Sequence, residues 1–212
     1  LVGNPPNWQR LRQGAETLVP VFPVLRIVLF PDGREWITGR ALPADLGLRQ
    51  QQGITAWVAT PTPSLAGHRS LPDHKTGNYL APWLVRQQAQ QRGAQEAILV
   101  DAVGNWLETT TGNLWGWGAG QWWTPPLSSG ILPGVVRGQL ISWLTRHNER
   151  VGEIPWDPDW VETLEAIAYT NSVVELVPFH RILSPHPRSY PGNHPCWEAL
   201  RHVFQRGDTQ RF

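Results

Sequence analysis

The chain has 212 residues, a formal net charge of +1, one Cys and no Met, and its 41% hydrophobic content suffices to build one large or two small domains. A charge near zero argues against a surface built for nucleic-acid phosphates, and the lone Cys196 excludes an internal disulfide framework or a multi-cysteine metal site. No apolar run approaches the roughly 20 residues of a membrane span and no signal-peptide pattern opens the chain, so the expectation is a soluble, cytoplasmic protein with a small-molecule partner and no nucleic-acid or membrane partner. The lack of Met adds the expectation that an N-terminal piece is missing.

In chain order, residues 4–13 read as a short helix with Asn or Pro at its start and Gly14 near its end. Residues 24–30 read as a strand that Pro31-Asp32-Gly33 turns into a second strand at 35–38, a hairpin. A third strand covers 54–59, and the Pro-, Ser- and Gly-containing stretch 60–73 reads as a loop. The expected organisation is the remainder of a small N-terminal domain at 1–64, an interdomain loop at 65–73 and a larger domain at 74–212. The larger domain opens with a helix over 79–91, with Leu80, Trp83 and Leu84 on one face, Gln and Arg on the other, and Gly93 as its cap. Strands follow at 97–100, 106–109, 114–117 and 121–124. A helix begins after Pro133-Gly134, with Val136, Leu140, Ile141 and Leu144 at helical spacing. A short capped helix at 157–165, a strand-like stretch at 168–177 and a last helix at 195–205 complete the pattern. Strands and helices mix without regular βαβ alternation, which predicts an α+β fold.

Of 18 basic residues, 17 are Arg and one, Lys75, is lysine. Lys and Arg are similar helix formers and both suit solvated surfaces, so exchange between them costs little. Arg fails to replace Lys where the amine must lose its proton and act as nucleophile or base. Chance retention on a loop is the plain alternative; the composition otherwise nominates Lys75 for Schiff-base or general-base chemistry.

Several motifs carry no chemistry. Gly116-Trp117-Gly118-Ala119-Gly120 is followed by strand and proline signals where a phosphate loop needs a helix, so it reads as a hairpin turn. The seven His are dispersed, which makes a metal site improbable, and Ser128-Ser129-Gly130 lacks a nucleophile elbow. The Trp residues at 115, 117, 122 and 123 fit cross-strand and core packing. Three segments remain. Lys75-Thr76-Gly77-Asn78-Tyr79-Leu80 supplies an amine. In 106–115, the acid Glu108 is followed by hydroxyls and a Gly112-Asn113 turn. In 124–137, a Gly-Pro-Gly-rich entry leads into a helix whose free N–H groups suit a phosphate. An amine, a carboxylate and an anion-binding helix start are the parts that pyridoxal phosphate needs.

In order and spacing, these segments resemble the class IV aminotransferase family, the fold-type IV pyridoxal-phosphate enzymes. The resemblance runs from about residue 23 to 179. It also takes in Glu96-Ala97-Ile98-Leu99-Val100-Asp101, Thr124-Pro125-Pro126-Leu127 and Thr170-Asn171-Ser172. It implies a fold like D-amino-acid aminotransferase, a homodimer and pyridoxal 5'-phosphate as cofactor. By that resemblance Lys75 would bond the cofactor and be the catalytic base, and Glu108 would pair with the ring nitrogen. The backbone of Val135 and Val136 and the Ser172 hydroxyl would hold the phosphate, while Thr110, Thr111, Asn171 and Val173 would border the substrate. Arg34, after the Asp32-Gly33 turn, would meet a substrate carboxylate; a solvated hairpin charge is the alternative. Family chains carry a longer N-terminal segment with a phosphate-binding arginine, the acidic pair before Thr170 is reduced to Glu165-Ala166, and Tyr79 is one position early for the family's ring-hydroxyl tyrosine. The implied activity is that of aminodeoxychorismate lyase, forming 4-aminobenzoate and pyruvate for folate synthesis. The alternatives are a branched-chain or D-amino-acid aminotransferase and a catalytically idle cofactor-binding homologue.

Overall fold

The computed structural model describes residues 5–60 and 71–205. The chain divides into two compact units, Leu1–Leu46 and Gly47–Phe212. In the first, α1 (Trp8–Leu18) starts later than the sequence suggests. Pro5 and Pro6 precede the cap residue Asn7, whose side chain accepts the Arg10 N–H at 3.0 Å. Gly14 does not end this helix: a Cβ there would lie 2.9 Å from Ile37 Cδ1, so the glycine serves close approach of helix to strand. The expected hairpin forms from β1 (Val24–Leu29) and β2 (Glu35–Arg40), paired antiparallel with Leu29 opposite Glu35. Gly33 takes φ 86° in the turn.

The second unit starts within α2 (Leu46–Gln52), a helix the sequence reading passed over. It continues through β3 (Ile54–Val58), α3 (Leu80–Gln91), β4 (Glu96–Val100), β5 (Trp106–Thr109), β6 (Asn113–Gly118) and β7 (Gln121–Thr124). Then come α4 (Val135–Arg146), β8 (Val151–Glu153), α5 (Pro158–Val161), β9 (Ala166–Asn171), β10 (Glu175–Leu183), β11 (Arg188–Ser189) and α6 (Cys196–Gln205). The units thus part at the start of α2, whereas the sequence placed an interdomain loop at 65–73; residues 61–70 lie outside those described. The strand-like stretch at 168–177 is corrected to parts of two strands. Asn171 breaks it, because its side-chain oxygen accepts the N–H groups of Val173 and Val174 at 2.8 and 2.9 Å and folds the chain into a turn.

One sheet of nine strands organises this unit, in the order β5-β4-β3-β10-β9-β6-β7-β8, with β11 paired to β10. The neighbours β3–β4, β3–β10 and β7–β8 are parallel and the others antiparallel. Between β5 and β6 the path crosses five inter-strand gaps, about 24 Å if flat. Yet only residues 110–112 join the two strands, a reach of about 14 Å at most. The sheet must therefore curl until β5 returns to the start of β6, and the Thr109 N–H bonds the Gly112 carbonyl at 2.8 Å at that closure. This mixed sheet with helices packed on it is the expected α+β architecture.

Two apolar clusters fill the unit. In one, Trp115 and Trp122 of the sheet meet Leu140 and Leu144 of α4 and Trp197 and Leu200 of α6, all essentially buried. The indoles of Trp117 and Trp122 pack edge to face at 4.9 Å, as the cross-strand reading of the Trp residues expects. In the other, Val85 and Ala89 of α3 lie on Ala97 and Leu99 of β4. This corrects the face assigned to α3. Pro82, Val85 and Ala89 point inward, while Leu80 and Trp83 are 64% and 53% exposed. Both stripes have helical spacing, but only the smaller side chains allow the close approach to Ala94 and Ala97 around the start of β4. Leu140→Ala should cost about 2–5 kcal/mol, read as a lower urea midpoint at unchanged m-value, because it empties a fully buried site between α4 and the sheet.

Candidate active site

Glu108 stands on β5, 5% exposed, facing the segment that leads into α4. Its Oε2 accepts the Leu132 N–H at 3.2 Å and the Asn113 Nδ2–H at 3.4 Å. Asn113, first residue of β6, also donates to the Leu132 carbonyl at 2.8 Å. One buried amide therefore ties the carboxylate to the approach of α4. Gly134 then caps α4 without any side-chain cap bond, so the helix begins with uncapped backbone N–H groups at Val135 and Val136. Val135 is exposed and Val136 buried. A Cβ on Gly134 would fall 2.1 Å from Asn113 Oδ1, so Gly134→Ala must push the amide off Glu108 or shift the helix start. We expect it to destabilise the fold by about 1–3 kcal/mol in thermal or urea unfolding, the cost of overpacking.

Around the β5–β6 turn, Thr110 and Thr111 both donate their hydroxyls to Glu96, a residue of β4 only 1% exposed. Thr111 binds Glu96 Oε2 at 2.7 Å, and Thr110 binds Oε1, which also accepts the Ala97 N–H at 2.9 Å. From the other side Asn171 Nδ2 donates to the Thr111 carbonyl at 3.2 Å. Gly112 completes the turn against β9, where a Cβ would meet the Thr170 carbonyl oxygen at 2.3 Å. Behind it, burial and then the Glu96 charge push the Tyr169 phenol well above its usual range, which keeps it protonated.

The structure thus brings together Thr110, Thr111 and Asn171, with Val173 in the turn that Asn171 builds, and separately joins Glu108 to the start of α4. Ser172 is exposed in the β9–β10 turn and makes no hydrogen bond among the described residues. Lys75 lies in an exposed loop before α3, and its partner there is Tyr79: Nζ donates to the phenol oxygen at 3.3 Å and sits 5.3 Å from the ring centroid. Arg34, in the first unit, is exposed, pairs with Asp32 at 2.8 Å and stacks on Phe30. Glu96 opens one of the segments that carry the family resemblance, but its burial and its threonine partners are visible only in the fold. The available signal was an acid opening an otherwise apolar strand. Burial and the nearby Glu165 carboxylate push the Cys196 thiol upward, so it is no thiolate nucleophile. Among the described residues no His, Cys, Asp and Glu group is arranged to hold a metal, and no helix is long and apolar enough to cross a membrane.

The sequence pattern of amino-transferase class IV matches residues 29–182, which includes Lys75, the Glu108 hairpin, the α4 entry and the β9–β10 turn. The chain belongs to the class IV aminotransferase family. Pyridoxal phosphate is this family's cofactor, and homologues in it are enzymes. The branched-chain-amino-acid aminotransferase of Escherichia coli K12 is 28% identical over 141 residues, 62% of this chain. The chain spans 43% of that relative's length. Class IV folds also align in space. A hypothetical aminotransferase from Mycobacterium tuberculosis in its PLP-bound form gives a TM-score of 0.76 at 18% identity, covering 94% of this chain and 75% of the other. A Legionella pneumophila protein provisionally named 4-amino-4-deoxychorismate lyase gives 0.69 at 20% identity, covering 94% and 83%. The crystal structure of the E. coli branched-chain enzyme gives 0.67 at 21%, covering 95% and 77%.

Proposed function

We propose that this chain is the cofactor-carrying part of a pyridoxal-phosphate-dependent lyase that converts 4-amino-4-deoxychorismate to 4-aminobenzoate and pyruvate. The observation that carries the cofactor reading is the Asn113 bridge, which sets a buried carboxylate and an uncapped helix start on one scaffold. Glu108 would suit the protonated ring nitrogen and the Val135 and Val136 N–H groups the phosphate, to which the family resemblance adds the Ser172 hydroxyl. The choice of lyase is supported by the Lys75-Thr76-Gly77-Asn78 spacing and the Thr170-Asn171-Ser172 segment, and a Legionella protein provisionally named for that activity shares the fold.

Pyridoxal phosphate, when bound, supplies an electron sink for the pair left at the substrate's Cα. Lys75 would hold the cofactor and, with its amine free, would take the Cα proton on Nζ. Tyr79, 3.3 Å away, receives a hydrogen bond from that nitrogen and orients it. Glu108 would keep a proton on the ring nitrogen through its charge. Thr110, Thr111, Asn171 and Val173 wall the substrate side. Loss of the enolpyruvyl group, which takes up a proton to become pyruvate, leaves the product ring aromatic.

A branched-chain or D-amino-acid aminotransferase is the second reading, favoured by the 28% identity to the E. coli branched-chain enzyme. Fluorescence of released 4-aminobenzoate separates the two. Product from aminodeoxychorismate without a keto acid supports the lyase. Turnover only of an amino acid with 2-oxoglutarate overturns it. A cofactor band with neither activity marks an idle cofactor-binding homologue.

A further inference from the structure

We infer that Arg137 is a positioning residue for the cofactor phosphate: it closes the loop of residues 125–137 at its neck and brings a buried positive charge to the start of α4. The inference rests on the phosphate placement proposed above. Arg137 stands in the first turn of α4 and is 4% exposed. Its Nη2 donates to the Pro125 carbonyl at 2.9 Å and to the Glu153 carboxylate. Pro125 follows the last residue of β7, Glu153 ends β8, and Thr124 of β7 lies opposite Glu153 in that parallel pair. Thr124 in turn donates its hydroxyl to the Leu114 carbonyl of β6 at 2.8 Å. One guanidinium thus fastens the helix start to the ends of two strands, while the Asn113 amide fastens the same loop at Leu132. Val135 and Val136 are held between the two ties.

Fastening alone does not call for a charge. A neutral amide also donates to a carbonyl, and a cation in the first turn of a helix stands at the positive end of the dipole, where it is disfavoured. Burial adds to that cost. Glu153 offsets it incompletely, because its side chain is 43% exposed and shared with water. Arg137 Nε is buried and has no hydrogen-bond partner among the described residues. A positive charge set against the dipole and only partly matched becomes favourable where a dianion sits at the helix start. Phosphate on the Val135 and Val136 N–H groups supplies that dianion. The Nη2 hydrogen bonds stay with Pro125 and Glu153, so Arg137 acts on the phosphate through the helix and through its charge.

Affinities of the full chain for pyridoxal phosphate and for pyridoxal, which lacks the phosphate, are measured by titrating the ligand's absorption. Wild type should prefer the phosphorylated form. Arg137→Met should lower that preference about tenfold, the scale of one charge at an anion site, and leave pyridoxal itself within about twofold. Arg137→Lys should restore most of the preference, since a single nitrogen makes both bonds and an ammonium has donors enough for the two acceptors. A merely structural role would weaken both ligands alike. An unchanged preference in Arg137→Met, equal losses for the two ligands, or an Arg137→Lys protein that behaves like Arg137→Met overturns the inference. If Arg137→Met does not fold, NMR of the wild type decides. The Arg137 Nε–H resonance, assigned through its own backbone, must shift with pyridoxal phosphate and stay in place with pyridoxal; any other pattern overturns the inference. A wild type that binds neither form, or both equally, overturns the proposed site instead. Inorganic phosphate then serves as the probe, and an Arg137 Nε–H resonance that it leaves unmoved overturns the inference as well.

Discussion

Replacing Lys75 with Ala is expected to abolish the visible absorption band of the loaded protein and to lower turnover by about 100- to 10,000-fold, the usual worth of a positioned proton-transfer group. The expectation combines two independent facts. Lys75 is the single lysine among 18 basic residues, and its Nζ is aimed at a phenol oxygen 3.3 Å away rather than at a carboxylate. A surface lysine held by an ion pair would be replaceable by arginine. An amine that must give up and accept a proton is not, because the guanidinium stays charged. Lys75→Arg should therefore fail as completely as Lys75→Ala, while a small primary amine in the buffer should restore part of the Lys75→Ala activity. Since the side chain is exposed, neither change should move the melting temperature appreciably. A Lys75→Arg protein that keeps the band and the activity would show that the cofactor is bonded elsewhere or not at all.

Glu108→Gln should leave the fold in place and still cost about 100- to 1,000-fold in turnover, on the scale of removing one preorganised electrostatic partner. Gln retains an oxygen where Oε2 now accepts the Leu132 and Asn113 N–H groups, so the approach to α4 keeps its contacts. What disappears is the negative charge that would hold a proton on the ring nitrogen. The cofactor should still bind, with an altered absorption spectrum, which separates loss of charge from loss of binding. Glu108→Ala is the contrasting variant. It leaves the buried Asn113 amide and Leu132 N–H without their acceptor and should lower stability by about 1–3 kcal/mol as well. Full activity in a fully loaded Glu108→Gln protein would remove Glu108 from the chemistry.

Much of this site is legible in the sequence because its parts are local. Glu108 and Asn113 flank a tight turn, and Gly134 opens a helix; such signals survive in a single stretch of chain. The misreadings have a common cause, namely that the deciding contact lies far away in sequence. Gly14 reads as a helix stop, yet Ile37 of the neighbouring hairpin requires a glycine in mid-helix. On α3 two apolar stripes compete, and only contact with Ala94 and Ala97 around the start of β4 decides for Pro82, Val85 and Ala89. The break between β9 and β10 is written in the Asn171 side chain, which β propensity alone overlooks. Glu96 reads as an ordinary acid at a strand edge until the curl of the sheet sets two threonine hydroxyls on it.

That curl also has a consequence for how the protein is made. The sheet is bridged at its middle by the pairing of β3 with β10, in which Ile54 meets Phe179. Lys75, Glu96, Glu108 and the start of α4 all leave the ribosome well before that partner exists. Until β10 arrives, β3 and β9 expose unpaired edges, and the closure that brings β5 back to β6 lacks its central strand. A nascent chain halted before Glu175 would thus hold nearly every reactive residue and no finished site. Such an intermediate is prone to edge-to-edge association until β10 covers the two edges.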